Sequence, residues 1–206
     1  MKHTLREIKG ARQSGFTLVE IAIVLVIIGL ILGGVLKGQV LIDNAKYKNF
    51  VKQIESYRAG VYTFQDTYRG LPGDLLNVSA LDSLAVSGDG DGLIEGGFCD
   101  ISSEETCKVW SHLRYAGIIS GDPADVGATA SPTHTYGGLV SSIGTGNWAN
   151  GVNEIKVLTR GIPGEVAQRY DNEFDDGDAT TGDVARYGSS GSTYALGSTV
   201  DVFFSL

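Results

Sequence analysis

Residues 16–36 read FTLVEIAIVLVIIGLILGGVL, an apolar run in which the one charge is Glu20. A helix of that length rises roughly 31 Å, close to one hydrocarbon thickness, so the segment can span a bilayer. The carboxylate is what needs explaining, because a charged side chain in hydrocarbon costs about 2.5–3.5 kcal/mol on insertion scales unless it finds a partner.

The run is introduced by MKHTLREIKGARQSG, where Lys2, Arg6, Lys9 and Arg12 stand against Glu7. A secretory signal would place small residues for cleavage after the apolar stretch. Here the chain continues KGQVLIDNAKYKNF, without that pattern, and the one junction that looks processed is Gly15 before Phe16. Residues 1–15 therefore read as a removable basic leader, with the apolar helix retained. Removal would expose a positive amine on Phe16, four residues from Glu20.

The stretch SGFTLVEIAIVLVIIG resembles the amino-terminal signature of type IV prepilins and of the pseudopilins of type II secretion systems. The resemblance implies cleavage after Gly15 by a membrane-embedded prepilin peptidase, N-methylation of Phe16, and assembly into a helical homo-oligomeric filament. It implies a role for Glu20 as the assembly glutamate, meeting the Phe16 amine of a neighbouring copy and setting register between subunits. Its implied partners are an inner-membrane assembly platform and minor pilins. The precursor would be a single-pass inner-membrane protein with a periplasmic head, and the assembled subunit would lie at the cell surface. Many relatives carry proline near position 37, where this chain has Lys37; Gly29, Gly33, Gly34 and Gly38 weaken the helix nearby, each by about 1 kcal/mol relative to alanine.

Beyond the apolar run, Tyr47, Phe50, Val51, Ile54, Tyr57, Val61, Phe64 and Tyr68 recur at spacings of three and four, opposite Lys48, Lys52, Glu55, Arg58 and Asp66. The pattern predicts one helix over residues 16–69, membrane-spanning over 16–36 and amphipathic over 37–69. RGLPGD at 69–74 ends it in a turn at Pro72 and Gly73, and residues 70–206 form a head.

Within the head, SSEETCKVWSHLRYAG predicts a short amphipathic helix with Val109, Leu113 and Ala116 on one face, opened by a capping box of Ser102 and Glu105. Cys99 and Cys107 are the only cysteines. A head outside the cytoplasm permits a disulfide, contributing roughly 2.5 kcal/mol by the chain-entropy estimate; two buried thiols are the alternative. A metal site on the pair would need further ligands, and His112 is the nearby histidine. Strands are predicted over 154–158 and in the terminal STVDVFFSL, where Val200, Val202 and Phe204 alternate with Thr199, Asp201 and Phe203. The fold class is α+β: a long N-terminal helix carrying a small antiparallel sheet, an arrangement the resemblance also implies.

Two acidic loops complete the inventory. SGDGDGLIEGG offers Asp89, Asp91 and Glu95 around the Leu93 carbonyl, a partial calcium-loop pattern with Asp100 at the twelfth position. YDNEFDDGDATTGD offers Asp171, Asp175, Asp176, Asp178 and Asp183, with Asp171 and Asp175 placed to share a helix face. Hard oxygen donors at this density suit Ca²⁺, which the resemblance associates with the carboxy-terminal region of secretion pseudopilins and of some pilins. The competing account is solvated turns, where Asp and Gly are favoured for backbone reasons. No cofactor is otherwise required.

With 24 acidic against 16 basic residues, the chain is not built for nucleic acid as its main partner. No HExxH, GxSxG, GxxxxGK or GxGxxG occurs, so no enzyme is expected. Three readings stand: a structural subunit of a type IV pilus or related surface filament, a type II secretion pseudopilin, and a membrane-anchored calcium-dependent adhesin in which the helix only tethers.

Overall fold

The computed structural model describes residues 15–101, 103–146, 153–188 and 191–206. Two compact units divide the chain, one up to Asn44 and one from Ala45 onward. Helix α1, Leu18–Tyr68, contributes to both.

In the first unit α1 exposes apolar side chains on every side: Leu18, Ile23, Leu25, Leu30 and Leu36 are all more than half exposed, and Val40, Leu41 and Ile42 extend the apolar surface past Lys37. A helix apolar all round belongs in lipid or among other apolar helices. Its length and composition suffice to cross a membrane.

In the second unit the helix is one-sided. Tyr47, Phe50, Ile54, Tyr57, Val61 and Phe64 are buried, as the three-and-four spacing requires. They belong to one core with Val109, Trp110 and Leu113 of α2 (Glu105–Tyr115), Ala167 and Tyr170 of α3 (Gly164–Phe174), and the inner face of a sheet. That sheet orders β1 (Leu139–Gly146), β2 (Glu154–Pro163), β4 (Thr199–Ser205) and β3 (Val184–Arg186) as β1-β2-β4-β3, every pair antiparallel. The α+β expectation holds.

Both expected strands are present, the first running on to Pro163 through a register shift between Thr159 and Ile162. Phe203, assigned by alternation to the face opposite Val202 and Phe204, does lie there but is buried. Tyr187 meets it edge-on at 5.3 Å, Phe98 meets Tyr187 edge-on at 4.9 Å, and the Arg160 guanidinium sits 4.4 Å over Phe98, so the outer face of the sheet has its own small apolar cluster.

Helix α1 ends as predicted before the Pro72–Gly73 turn, although the left-handed residue at its end is Arg69 (φ 59°). Gly73 (φ 92°) is required for two reasons: its backbone angle, and the Glu105 carbonyl oxygen, which a Cβ would meet at 2.5 Å. Helix α2 departs from the expected cap. Its N-cap is Glu104 with no side-chain cap, and Glu105 is its first residue, so Glu105 cannot be the third residue of a capping box; Ser102 lies outside the described residues. The Glu105 carboxylate instead accepts from the Asp89 and Glu95 backbone N–H groups (3.0 and 3.2 Å), bracing the 89–95 loop against the helix. Cys99 and Cys107 form a disulfide with Cα atoms 4.8 Å apart, tying the chain before α2 to its first turn.

His112 clamps the same end of the head. Its Nδ1 accepts from Gly73 N–H (2.9 Å), its Nε2–H donates to the Val86 carbonyl (2.8 Å), and its ring stacks on Phe64 of α1. Those bonds demand the neutral ring, and burial holds its pKa below the usual histidine value, as it does for His134. The unfolded chain takes up the proton near pH ~6.5 and the fold does not, so stability present above that pH is lost as pH falls, by up to about 1.4 kcal/mol per unit for each histidine. Urea unfolding between about pH 5 and 7.5 should show this decline, and His112→Asn, which keeps an acceptor for Gly73, should lower neutral stability while flattening the acid limb by one proton's worth.

Candidate functional site

The N-terminal site is built at the first turn of α1. Thr17 precedes the helix, and its Oγ accepts from Glu20 N–H (3.2 Å) while Glu20 Oε2 accepts from both Thr17 N–H and the Thr17 hydroxyl (2.8 Å each). This is a reciprocal capping box, and it places the carboxylate on the positive end of the helix dipole. Both bonds to the carboxylate use Oε2; Oε1 takes no hydrogen bond among the described residues. Phe16 is 82 % exposed beside it. Glu20 thus enters the apolar unit already hydrogen-bonded to its own backbone, with one oxygen free for an outside donor. Thr17 was not singled out from sequence, although TLVE is a Thr-x-x-Glu pattern opening an apolar run, the recognised signal for such a cap. The basic residues of the leader fall outside the described residues, whereas Gly15 and Phe16 are present and exposed.

The second acidic loop gathers three of its five predicted carboxylates. Asp171, Asp175 and Asp176 each offer an oxygen within 4.8 Å of the others. They do not share a helix face: α3 stops at Phe174, Asp175 closes its last turn with N–H to the Asp171 carbonyl (2.7 Å) and leaves helical angles, and the loop then folds back through Gly177 (φ 81°). Asp171 is fully buried, accepting from Gly177 N–H and the Tyr194 hydroxyl (2.8 and 2.9 Å), and burial raises its pKa. Among the described residues no Lys or Arg forms an ion pair with it. The exposed Asp176 is held low by the Thr181 hydroxyl. Asp178 turns away to cap Thr180, and Asp183 lies outside the cluster.

The first loop gathers differently from expectation. Asp89 and Asp91 meet Asp74 rather than Glu95. Asp74, four per cent exposed, accepts from Gly90 and Gly92 N–H (2.7 and 3.0 Å), while Asp89 and Asp91 accept from backbone N–H groups two residues on. These carboxylates brace the turn, and Asp74, preceding the loop by fifteen residues, carried no local signal of its part in it.

Residues 10–36 match the family described as the prokaryotic N-terminal methylation motif. No curated protein and no solved structure matches the chain. Through that segment, with its capped Glu20 and all-round apolar helix, the chain carries the signature of the type IV pilins and pseudopilins.

Proposed function

We propose that this chain is a structural subunit of a type IV pilus or related surface filament, processed between Gly15 and Phe16 and assembled by packing of its N-terminal helix. The observation that carries the reading is Glu20: one carboxylate at the mouth of an uncharged, fully exposed apolar helix, with an oxygen free four residues from the residue that processing would make a cationic terminus. Neighbouring copies would cover the apolar surface and pair Glu20 with the Phe16 amine. Prepilin peptidase, an assembly platform and minor pilins are the partners this assigns. Electron microscopy of sheared surface material, with mass spectrometry of the subunit's terminus, tests it: shed filaments beginning at N-methylated Phe16 are expected, and an unprocessed chain confined to the envelope would refute it.

The pseudopilin reading, and equally a calcium-binding pilin, draws support from the Asp171, Asp175 and Asp176 cluster. These hard oxygen donors fit Ca²⁺, and the buried Asp171, with no ion-pair partner among the described residues, supplies the reason a cation would be favoured. Calcium held there would tie α3 to the loop leading into β3. Thermal unfolding in calcium against EDTA should show stabilisation, about 2.7 kcal/mol at a hundredfold excess over Kd, and Asp171→Asn should remove most of the difference. A chain indifferent to calcium would remove this support.

A further inference from the structure

We propose that the outward face of α1 at Lys48 and Lys52 is a docking surface for a second copy of this chain, which seats its acidic 173–183 loop there. The inference rests on the filament reading and adds to it which parts of the heads meet. Five lysines occur from residue 45 onward, and three of them, Lys46, Lys48 and Lys52, fall within seven residues of α1; Lys156 is buried and Lys108 stands on α2. Lys48 and Lys52, one turn apart, face away from the buried Phe50, Ile54 and Tyr57, whereas Lys46, two residues before Lys48, lies round the helix from them. All three are exposed, and none forms an ion pair among the described residues. Glu55 is engaged by Arg58 at 3.1 Å, and farther along the same face Ser56 and Ala59 are small enough to let another backbone approach.

The complementary surface is on the same head. Residues 173–183 hold Glu173, Asp175, Asp176, Asp178 and Asp183 without a lysine or arginine, and Glu173, Asp176 and Asp183 are exposed. Glu173 accepts from the Tyr47 hydroxyl at 2.6 Å, which fixes the start of this loop at the level of Tyr47 along α1, on the buried side of the helix. The basic face lies at that level on the opposite side. Opposite charges on opposite sides of one head cannot pair across a two-fold axis without also setting like against like; they pair head to tail, the heterologous arrangement that repeats indefinitely. Single surface ion pairs contribute little, so these charges act on register and on rejection of wrong neighbours, with a salt dependence to match.

The test uses the full chain in its native membrane with a photo-crosslinking benzoylphenylalanine at position 52 and, in parallel, at position 31 in the apolar unit. Expected are copy-to-copy crosslinks from both, the position-52 product joining a peptide within 173–183 of the second chain. Charge reversal K48E/K52E should reduce assembled material at least tenfold, and adding D183K, at a carboxylate that takes no hydrogen bond among the described residues, should restore part of it. Crosslinks from position 31 but none from position 52 to that loop, or wild-type assembly by K48E/K52E, overturn the docking surface and leave the filament reading standing. Absence of copy-to-copy crosslinks at both positions overturns both.

Discussion

Glu20→Ala is expected to abolish filament assembly while leaving the protein in the membrane at normal abundance. The two halves of that outcome come from different physics. Insertion depends on the apolar surface of α1, and removing a charge from hydrocarbon only lowers its cost. On the filament reading, assembly would depend on a partner for the Phe16 amine that processing would create. With Glu20 gone, each added subunit would bury an unpaired cation, and breaking a buried pair from one side costs about 3–5 kcal/mol. Because 1.4 kcal/mol is tenfold in an equilibrium constant, the growing end would lose a hundredfold or more in affinity for the next subunit. Immunoblots of sheared and envelope fractions read both halves at once. A membrane-anchored adhesin would instead keep its surface function, so normal behaviour of Glu20→Ala would discard the filament reading.

The parts of the molecule legible in its sequence are those where one physical demand acts alone. Burial of one face wrote the spacing of Tyr47, Phe50, Ile54, Tyr57, Val61 and Phe64 directly into the chain, and lipid or helix packing wrote the unbroken run before it. Illegible parts are those settled by distant partners. Strand β1 reads LVSSIGTG, poor in strand formers, and is held because Ser141 and Ser142 are buried, with the Ser141 carbonyl accepting from the Trp110 indole and the Ser131 hydroxyl. Helix α3 follows Pro163 without a side-chain cap and buries a narrow stripe of Ala167, Tyr170 and Asp171. Composition correctly marked both loops as acidic, but which carboxylates meet was decided by turns. Asp171 and Asp175 converge because the helix stops between them, and Asp74 joins Asp89 and Asp91 through the glycines it braces.

Phe50→Ala should be the most damaging single change in the head, costing about 3–5 kcal/mol. Phe50 is fully buried and sits at the junction of four aromatic rings, edge-on to His134, Tyr136, Tyr170 and Phe204 at 5.6–6.2 Å. It therefore joins α1 to the 134–136 turn, to α3 and to β4, and truncation opens a cavity that none of the three can close without leaving the others. Against a total stability of 5–15 kcal/mol typical of a domain, such a loss leaves a substantial unfolded fraction at moderate urea. Urea titration of the full chain in detergent, followed by tryptophan fluorescence, should show the drop, with Lys52→Ala on the outward face of the same helix within about 0.5 kcal/mol of wild type. Phe50→Leu should fall between them, since it restores much of the volume without the ring edges. Membrane insertion should be unaffected in every variant, because the apolar residues that drive it end at Ile42, before the first buried aromatic at Tyr47. Were Phe50→Ala as stable as wild type, the aromatic face of α1 would be a passive surface laid against a head that folds without it, and head and helix would have to be treated as independent folding units.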